Sequence, residues 1–253
     1  MISDASLENQ LTLSIVNHGH CKMLSKLLLQ INNLESSIAH VIITHNIQSA
    51  LIIDENSFSF KTTVIVNKFP LGFGENHNQA FKFCTTKYFC VLNPDVEFIN
   101  DPFNQLINCL ELKDIGIAAP TVLDRDGVLQ DSYRKFPTPL LILKRALFSK
   151  KEGFKSQSEL PFIYPDWVAG MFMLLKSSTF KNLGGFDEKY FLYCEDIDLC
   201  LRSWRAKNSI IVLKDASIIH NAQRDSHTKP WYFWLHLKSL CRFFFKHLLR
   251  FPR

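Results

Sequence analysis

The sequence lacks the segments that carry a protein into or across a membrane. Its first ten residues include Asp4 and Glu8 and have no apolar core, which disfavours a secretory signal peptide. No uninterrupted apolar run reaches the roughly 20 residues that a membrane-spanning helix requires. We therefore expect a cytoplasmic protein that meets a membrane only at its surface.

The cysteines form no recognisable pattern. They are seven, an odd number, and none stands in a CxxC pair. This arrangement favours neither a disulfide framework nor a zinc cluster. The sequence therefore predicts buried, reduced thiols in a cytosolic protein. The seven are Cys21, Cys84, Cys90, Cys109, Cys194, Cys200 and Cys241.

Acidic residues are missing from the carboxyl-terminal end. The segment from Ser226 to Arg253 contains six of the 29 Lys and Arg residues and no Asp or Glu. The rest of the chain is close to neutral, so it offers no broad track for a nucleic-acid backbone. We expect no nucleic-acid partner, and we assign the net charge of +5 to a local function of the tail.

The first half of the chain alternates short apolar runs with helical periodicity. Apolar residues from Met23 to Ile31 recur at helical spacing, and Gly72-Phe73-Gly74 precedes a second predicted helix that ends near Cys84. Such alternation is typical of βαβ units and predicts one α/β domain with a mainly parallel central sheet flanked by helices. The predicted strands are Leu11–Val16, Val41–Thr44, Thr63–Val66 and Tyr88–Leu92.

The second half of the chain is less regular. A helix is predicted after Ser177 or Ser178, and another from Glu195 to Ala206. The polar segment Ser149–Pro161 is predicted to be a loop. The predicted strands here are Ile115–Ala119, Val168–Lys176, Ile210–Leu213 and Ser217–His220.

An acidic turn follows the strand predicted at Tyr88–Leu92. Its sequence is Asn93-Pro94-Asp95-Val96-Glu97, and it lies at the sheet edge where open α/β sheets bind ligands. The carboxylates of Asp95 and Glu97 offer the hard oxygens that Mg²⁺ or Mn²⁺ prefers. A turn that only ends the strand would use similar residues. The pentapeptide alone leaves both interpretations open.

A second acidic cluster, Glu195-Asp196-Ile197-Asp198, begins a predicted helix. The helix dipole favours negative charge in the first turn, and Asp198 can pair with Arg202 one turn later. A carboxylate at the very start of the helix could instead act as a general base on a hydroxyl group. The residues themselves do not choose between a structural and a catalytic function.

Two further patterns are weaker. His220 ends an apolar run and could join carboxylates around a metal ion, although a lone histidine is more often a surface or core residue. Gly72-Phe73-Gly74 with His77-Asn78 has neither the GxGxxG nor the Walker spacing. The second pattern therefore disfavours an NAD site.

Taken in chain order, these segments resemble the family 2 glycosyltransferases from about Leu11 onward. The resemblance implies a GT-A nucleotide-diphospho-sugar transferase fold and an inverting sugar transfer in a single displacement. It rests on Leu13–His20, Leu71–Gly74, His77-Asn78, Leu92–Asp95, Asp166–Gly170, Gly185–Glu188 and Tyr193–Leu199.

The resemblance also implies functions for individual residues. Asp196 would be the catalytic base, and Asp95, assisted by His220, would bind a divalent metal, Mg²⁺ or Mn²⁺. The acceptor would contact Trp167, Gly170, Tyr193 and Glu195. The donor would contact Asn17, His45, Gly72, Asn78, Asn93 and Asp95.

More narrowly, the chain resembles the rhamnosyltransferases of bacterial O-antigen (lipopolysaccharide) assembly. That resemblance implies transfer of L-rhamnose from dTDP-L-rhamnose onto a lipid-linked saccharide, GlcNAc-diphospho-polyprenol. It rests on Arg134–Pro137, Asp166-Trp167, Tyr190–Arg202 and His236–Ser239.

The chain departs from the family pattern at His45. The family commonly has Asp-Asn after the second strand, whereas this sequence has His45-Asn46. An imidazole can still form a hydrogen bond with a pyrimidine edge. Two alternatives stay open: a transferase of the same fold that uses a UDP- or GDP-sugar, and a nucleotide-sugar-binding protein that has lost catalysis. A metal-dependent nuclease fits the order of the motifs less well.

The tail indicates where the protein works. Residues 1–225 are predicted to form the transferase domain, and residues 226–253 a basic aromatic helix that belongs to that domain or associates with a membrane. A basic amphipathic helix can lie on an anionic leaflet, whereas a helix packed on the domain would only solvate its charges. We expect a peripheral protein on the inner face of the cytoplasmic membrane. The tail's predicted basic stripe is Lys238, Arg242, Lys246 and Arg250, and its interfacial rings are Trp231, Tyr232 and Trp234.

Overall fold

A nine-stranded sheet forms the centre of the computed structural model, which describes residues 10–36, 38–48, 57–142, 160–220 and 230–247. The helices with described bounds are α1 (Cys21–Asn32), α2 (Phe73–Phe81), α3 (Phe103–Leu110), α4 (Ser177–Asn182), α5 (Glu195–Arg205) and α6 (Pro230–His247). The strands are β1 (Leu11–Asn17), β2 (Ile38–His45), β3 (Lys61–Val66), β4 (Tyr88–Leu92), β5 (Val96–Phe98), β6 (Ile115–Leu123), β7 (Tyr133–Arg134), β8 (Phe162–Ile163), β9 (Trp167–Val168), β10 (Phe172–Lys176) and β11 (Ser209–His220).

The strand directions make the central sheet mainly parallel. Its order is β3-β2-β1-β4-β10-β6-β11-β5, with β8 beside β11 and with β7 and β9 paired separately. Strands β3, β2, β1, β4, β6 and β11 run the same way, whereas β10 runs against its neighbours β4 and β6. The carboxyl ends of the parallel strands therefore meet at one edge, the usual ligand-binding edge of such sheets.

Both faces of the sheet are covered. Side chains alternate along a strand, so Cys90 and Leu92 of β4 join the core that contains α1 and α3, while Phe89 and Val91 join the core that contains α4 and α5. The inner face of α1 shows the helical spacing that the sequence predicts. Each of its fully buried apolar side chains contributes about 1.5–3 kcal/mol; these are Leu24, Leu27, Leu28 and Ile31.

Most predicted elements are confirmed, but two strand predictions are wrong in detail. The strand predicted at Val168–Lys176 is divided into β9 and β10, because the backbone N–H of Gly170 bonds Asp196 instead of a neighbouring strand. The two predicted closing strands form a single strand, β11. Its register shifts between Leu213 and Ser217, where the hydroxyl of Thr121 donates to the carbonyl oxygen of Ala216 at 2.7 Å.

Two predictions fall on residues that the structure does not describe. The predicted loop at Ser149–Pro161 lies outside the described residues except at its end, and so does the boundary between residues 225 and 226. Helix α3 and strand β5 were not predicted. Among the described helices, none combines the length and apolarity that crossing a bilayer requires.

Candidate active site

A cleft of about 490 Å³ opens at the carboxyl edge of the sheet. Its walls come from the ends of β1, β2 and β4, from the loop before α2, from the segment before α5, and from the first turns of α6. Among the residues predicted for donor binding, Asn93 and Asp95 line it. The other lining residues are Val16, His18, His20, Asn46, Pro70, Leu71, Phe73, Asn76, Pro94, Phe191, Leu192, Trp231, Tyr232 and Leu235.

Asn17 and His45 lie side by side at the ends of β1 and β2, buried behind this lining. The backbone N–H of His20 donates to Oδ1 of Asn17 at 2.8 Å, which directs the amide nitrogen toward Nδ1 of His45 at 3.0 Å. The amide nitrogen can only donate, so Nδ1 accepts and Nε2 of His45 carries the proton. That Nε2 is buried and has no hydrogen-bond partner in the structure. Burial also lowers the pKa of the imidazole, which keeps it neutral.

Three asparagines that were not predicted as site residues hold the wall beside His45. Oδ1 of Asn46 accepts from the Leu71 backbone at 2.8 Å and from Nδ2 of Asn67 at 2.9 Å. Asn67 also donates to Oδ1 of Asn76 at 2.7 Å, and Asn76 donates to the Gly72 carbonyl at 2.8 Å. The other end of Asn46 reaches Nδ1 of His18 at 3.3 Å. This network fixes the loop before α2 against the strand ends.

The glycines of the Gly72-Phe73-Gly74 segment permit close packing. A Cβ at Gly72 would lie 2.9 Å from the Phe191 carbonyl oxygen, and one at Gly74 would lie 2.5 Å from Cβ of Phe186. The Phe73 backbone N–H donates to that same Phe191 carbonyl at 2.9 Å. Gly72, predicted to contact the donor, is therefore a packing position in the structure, while Phe73 lines the cleft.

Asn78, predicted to contact the donor, binds the segment before α5 and is not among the residues that line the cleft. Its amide binds both backbone groups of Phe186, at 2.9 Å each, and Oε1 of Glu188 at 3.0 Å. The adjacent His77 is fully buried with Nδ1 2.8 Å from the Ser14 hydroxyl, and burial lowers its pKa to about 3. The His77-Asn78 pair therefore joins α2 to the sheet and to the segment before α5.

Asp95 and His220, distant in sequence, meet beside the cleft. Oδ2 of Asp95 lies 3.2 Å from Nε2 of His220, and Oδ1 is buried without a hydrogen-bond partner in the structure. Gln130 donates to the His220 carbonyl at 2.7 Å, which places its own Oε1 3.1 Å from Nδ1 of the ring. A neutral imidazole then carries its proton on Nδ1 and presents the Nε2 lone pair to the carboxylate. Two acceptors that face each other need a cation or a proton between them.

Glu97 does not join this pair. Its carboxylate binds Nζ of Lys26 at 2.6 Å and the guanidinium of Arg125 at 3.0 Å. The hydrogen bond from Lys26 leads the effects that hold its pKa below the ordinary range. Both carboxylate oxygens of Glu97 are therefore occupied by cationic side chains, unlike those of Asp95. In the described segments, no group of three or more His, Cys, Asp or Glu side chains is suited to hold a metal. Beside the cleft, the candidate metal ligands are the pair Asp95 and His220.

The predicted base, Asp196, begins α5 behind the cleft wall. Its Oδ2 accepts the Gly170 backbone N–H at 3.1 Å, and a Cβ at Gly170 would touch the Phe73 ring at 3.0 Å. Asp196 is therefore one layer behind the lining residue Phe73. Burial raises the pKa of the carboxyl, and backbone N–H donors from Ile197 and Gly170 oppose that rise. A raised pKa suits a group that must accept a proton near neutral pH.

The residues before α5 have an unusual backbone. Tyr193 and Cys194 both adopt left-handed conformations, with φ of 70° and 66°. Such strain clusters at functional sites. Next to them Glu195 is only 5% exposed, and Oε2 has no hydrogen-bond partner in the structure. Burial, followed by the charge of Asp196, raises the pKa of Glu195 well above its ordinary value, which favours the protonated form.

The other predicted acceptor residues surround Asp196 from outside the cleft. Trp167 of β9 donates through Nε1 to the Lys135 carbonyl at 3.0 Å. The ring of Tyr193 packs on His236 of α6, with centroids 5.1 Å apart. Gly170 thus binds Asp196, Tyr193 and Glu195 are close to it in sequence, and Trp167 lies three residues before Gly170.

Comparison with known proteins identifies this arrangement. Residues 15–179 match the model of glycosyl transferase family 2. Rhamnosyltransferase WbbL of Escherichia coli (strain K12) is 32% identical over 242 residues, which are 90% of this chain and 90% of WbbL. The chain belongs to glycosyl transferase family 2.

Further relatives extend the comparison. N-acetylglucosaminyl-diphospho-decaprenol L-rhamnosyltransferase of Mycobacterium tuberculosis is 25% identical over 174 residues, 65% of this chain and 57% of that protein. The mannosyltransferase PcManGT of Pyrobaculum calidifontis, solved with GDP-Man and Mn²⁺, superposes with a TM-score of 0.66 at 14% identity, covering 98% of this chain and 67% of that one. GalNAc-T7, solved with UDP, GalNAc and Mn²⁺, gives 0.65 at 12%, covering 84% and 44%. These glycosyltransferases share the GT-A fold.

In this glycosyltransferase α6 packs on the domain and contributes to the cleft. The hydroxyl of Ser239 donates to the Leu192 carbonyl at 2.7 Å, and Phe243 is fully buried. Two members of the predicted basic stripe point inward: Lys246 binds Asp198 at 2.6 Å, and Arg242 binds Asp187 at 3.3 Å. These contacts fit the alternative in which the tail helix packs on the domain. Among the described residues of that stripe, Lys238 is the one on the outer face, and Arg250 lies outside the described residues.

The outer face of α6 is mainly apolar. Its exposed side chains recur at helical spacing, so they form one continuous patch along the helix. We call this patch the outer face. It consists of Trp231, Phe233, Trp234, Leu237 and Phe245, which are 67%, 65%, 63%, 37% and 80% exposed, together with Lys238 and Cys241.

Proposed function

We propose that this chain is an inverting rhamnosyltransferase of surface-polysaccharide (O-antigen) assembly. It transfers L-rhamnose from dTDP-L-rhamnose to the GlcNAc of a polyprenol-diphosphate-linked acceptor. One observation carries the proposal: Asp95, paired with His220, lines the cleft, and the candidate base Asp196 lies beside Gly170, which packs on the cleft-lining ring of Phe73. The names of WbbL and of the mycobacterial relative support rhamnose, and the second also supports the lipid-linked GlcNAc.

The donor side fits a nucleotide. The Nε2–H of His45 is buried behind the cleft lining, and a shift of that lining on binding would let it donate to a carbonyl oxygen of a pyrimidine base, a group that thymine and uracil share. His18 and Asn46 face the cleft beside it. Asn93 and Asp95 lie farther along, where the diphosphate of the donor would follow.

The residues at Asp95 fit a divalent cation. The orphaned Oδ1 of Asp95 and the Nε2 lone pair of His220 converge, and Gln130 supports the ring in the way that metal-bound histidines are usually supported. With only two protein ligands, an ion would keep positions for diphosphate oxygens. When bound, it would neutralise the charge that builds on the departing nucleoside diphosphate.

Asp196 supplies the proton acceptor. The acceptor hydroxyl oxygen forms a bond to the anomeric carbon as the bond from that carbon to the diphosphate oxygen breaks. The hydroxyl proton passes to Asp196, and dTDP leaves with the bonding electron pair. A single displacement inverts configuration, so a β-L-rhamnosyl donor gives an α-linkage. Transfer should therefore proceed without a covalent sugar–enzyme intermediate.

Asp95→Asn is expected to weaken metal-dependent donor binding by about 10- to 100-fold, the range found when metal sites lose supporting groups. Donor binding is measured by calorimetry while Mn²⁺ is titrated into chelated protein. Glu97→Gln is the matched control, because Lys26 and Arg125 already occupy that carboxylate. Equal behaviour of the two variants, or sugar transfer that is independent of metal, would contradict the assignment.

The outer face of α6 is proposed to lie on the cytoplasmic face of the membrane. Trp231 belongs both to that face and to the cleft lining, so the apolar surface is continuous with the site. Aromatic rings with few charges suit the interfacial region of a bilayer. A lipid-linked acceptor would reach the cleft from there. Because Arg242 and Lys246 bind carboxylates of the domain, apolar contact rather than charge should dominate membrane binding.

The double variant Trp234→Ser, Phe245→Ser is expected to reduce co-sedimentation with vesicles of anionic phospholipid by at least about tenfold, because it removes two large apolar side chains from the interface. Leu29→Ser is the control, since Leu29 is 63% exposed on α1. Undiminished vesicle binding would refute the proposal. So would a wild-type dimer in solution that the double variant converts to monomer.

The donor is tested with a panel of nucleotide sugars. Purified protein is incubated with a synthetic GlcNAc-diphospho-lipid and with dTDP-rhamnose, UDP-sugars or GDP-sugars, and the product is detected by mass. We expect transfer from dTDP-rhamnose. Transfer from a UDP- or GDP-sugar alone would show that the donor is that nucleotide sugar and not dTDP-rhamnose. Donor binding without transfer or hydrolysis would indicate a binding protein that has lost catalysis.

A further inference from the structure

Arg134 has a fixed position next to the candidate acceptor residues. It lies on β7 directly opposite Trp167 of β9, and its guanidinium stacks over the indole ring at 5.8 Å. The carboxylate of Asp131 accepts from Nε and from one terminal nitrogen of the guanidinium. Because a guanidinium carries five N–H donors, this fork can still donate to a further anion. Asp131 and Trp167 thus fix the orientation of the Arg134 guanidinium, which can bind an anion.

His236 approaches the same place from α6. Its ring packs on Tyr193, three residues before Asp196, with centroids 5.1 Å apart. The imidazole is partly exposed, and a neutral imidazole donates one N–H. Burial and the charge of Arg134 both lower the pKa of His236, and the charge of Arg134 also acts on Asp196. Geometry places both pairs beside the same carboxylate, because Tyr193 lies three residues before Asp196 and Trp167 lies three residues before Gly170, whose backbone N–H binds Asp196 at 3.1 Å.

This group is separate from the donor side. None of Arg134, Trp167, Tyr193 and His236 belongs to the lining of the 490 Å³ cleft, whereas Asn93 and Asp95 do. The Trp167 ring packs against the guanidinium of Arg134, and the Tyr193 ring packs against the imidazole of His236. Planar rings are suited to the apolar face of a sugar, and a guanidinium matches the geometry of phosphate oxygens.

We propose that Arg134 and His236 form a subsite for the phosphate next to the acceptor sugar. The inference rests on the proposed function, in that the acceptor is a sugar linked to a lipid through a diphosphate. The guanidinium of Arg134 binds the phosphate oxygens as a fork, and His236 donates one further hydrogen bond. The sugar then lies against Trp167 and Tyr193 with its hydroxyl toward Asp196. Helix α6 thereby carries both the membrane-facing surface and one of the residues that bind the acceptor, His236.

Binding is measured by calorimetry with three water-soluble probes: a short GlcNAc-diphospho-alkyl, the same alkyl diphosphate without sugar, and GlcNAc-O-alkyl without phosphate. We expect Arg134→Gln and His236→Gln each to weaken both diphosphate probes by about tenfold or more. The phosphate-free probe should change by less than about twofold. Arg134→Lys should recover part of the loss, because it restores the charge without the fork. Lys181→Gln, at an exposed position on α4, is the control and should bind all three like the wild type.

Equal loss for all three probes in the Arg134 and His236 variants would overturn the subsite, since it would indicate a structural effect. Unchanged binding of the diphosphate probes would overturn it as well. Displacement of the alkyl diphosphate by saturating dTDP with Mn²⁺ would assign that binding to the donor side instead. The proposed function fails separately, if the wild type binds the diphosphate probes as expected but transfers no sugar from any donor.

Discussion

Asp196→Asn is expected to lower kcat by about 10²–10⁴-fold, the usual contribution of a general base, while donor binding is retained. An amide oxygen can still accept one of the two backbone N–H groups that hold this carboxylate, from Ile197 at 2.8 Å and from Gly170 at 3.1 Å, so retention of the fold is checked by circular dichroism. The amide cannot take up the proton of the acceptor hydroxyl. Transfer is measured under saturating donor and acceptor, and donor affinity is measured separately by calorimetry.

Glu195→Gln is the control for this loss. Burial raises the pKa of Glu195 and favours its protonated form, which glutamine resembles in size and charge. We expect this variant to lose less than about tenfold in kcat, well below the general-base contribution. Near wild-type transfer by Asp196→Asn, or a larger loss in Glu195→Gln than in Asp196→Asn, would show that the base is misassigned.

The pH dependence of kcat gives a second measure of Asp196. Activity requires the deprotonated carboxylate, so kcat falls as the pH drops through its pKa. Because burial raises that pKa, the acidic limb should lie above the ordinary aspartate value of about 3.9. Asp196→Asn should remove this limb from its residual activity. A limb at or below the ordinary value would contradict a buried base.

Asp198→Asn is expected to destabilise the protein by about 3–5 kcal/mol, because breaking a buried ion pair leaves uncompensated charge in the interior. The Asp198 carboxylate is fully buried and joins α5 to α6. It accepts from Arg202 at 2.7 Å, from Lys246 at 2.6 Å and from His247 at 2.8 Å. The free energy of unfolding is measured by urea denaturation.

Asp187→Asn is the matched control at the same helix. Its side chain is 17% exposed and binds Lys246 at 2.8 Å and Arg242 at 3.3 Å. Because ion pairs contribute less as their exposure rises, down to about 0–1 kcal/mol at the surface, this variant should lose less stability than the fully buried Asp198→Asn. Equal stability of the two variants would show that the buried network at Asp198 does not stabilise the packing of α6.

The contribution of Asp198 should also depend on pH. Burial alone would raise its pKa, but the hydrogen bond from His247 and the charges of Arg202 and Lys246 outweigh burial and lower the pKa. A group whose folded pKa is depressed stabilises the protein above its unfolded pKa, about 3.9 for Asp, and that stability is lost as the pH falls further. The difference between wild type and Asp198→Asn should therefore shrink below about pH 4.

The fold and the outline of the site could be predicted because they depend on local pattern and chain order. Apolar periodicity gave β1, α1 and β4, and the turn after β4 indicated Asp95. The pairing of Asp95 with His220 followed only from resemblance, since nothing in the spacing of two distant residues fixes their contact. The structure brings them within 3.2 Å because β5 pairs with the end of β11.

Other site residues could not be predicted, because their function depends on what surrounds them. Gln130 supports His220, and Asn46, Asn67 and Asn76 hold the cleft wall, but an amide in a loop has the same sequence signature whether or not it does so. Gly72 and Asn78 matched the family motif, yet their contacts are with Phe191 and Phe186.

In the tail, too, the sequence does not show which residues surround each side chain. A stripe of basic residues on a helix does not indicate which side packs on the domain. Arg242 and Lys246 turn toward Asp187 and Asp198, carboxylates on other elements. The apolar side that remains exposed is the surface proposed for the membrane.

The most direct test of the account is product formation by the purified wild-type protein with dTDP-β-L-rhamnose, Mn²⁺ and a GlcNAc-diphospho-lipid. We expect one rhamnose to be added to the acceptor in α-linkage, as seen by mass and by the anomeric NMR signal. Tight donor binding without any sugar transfer, or a product that retains the β configuration, would contradict it.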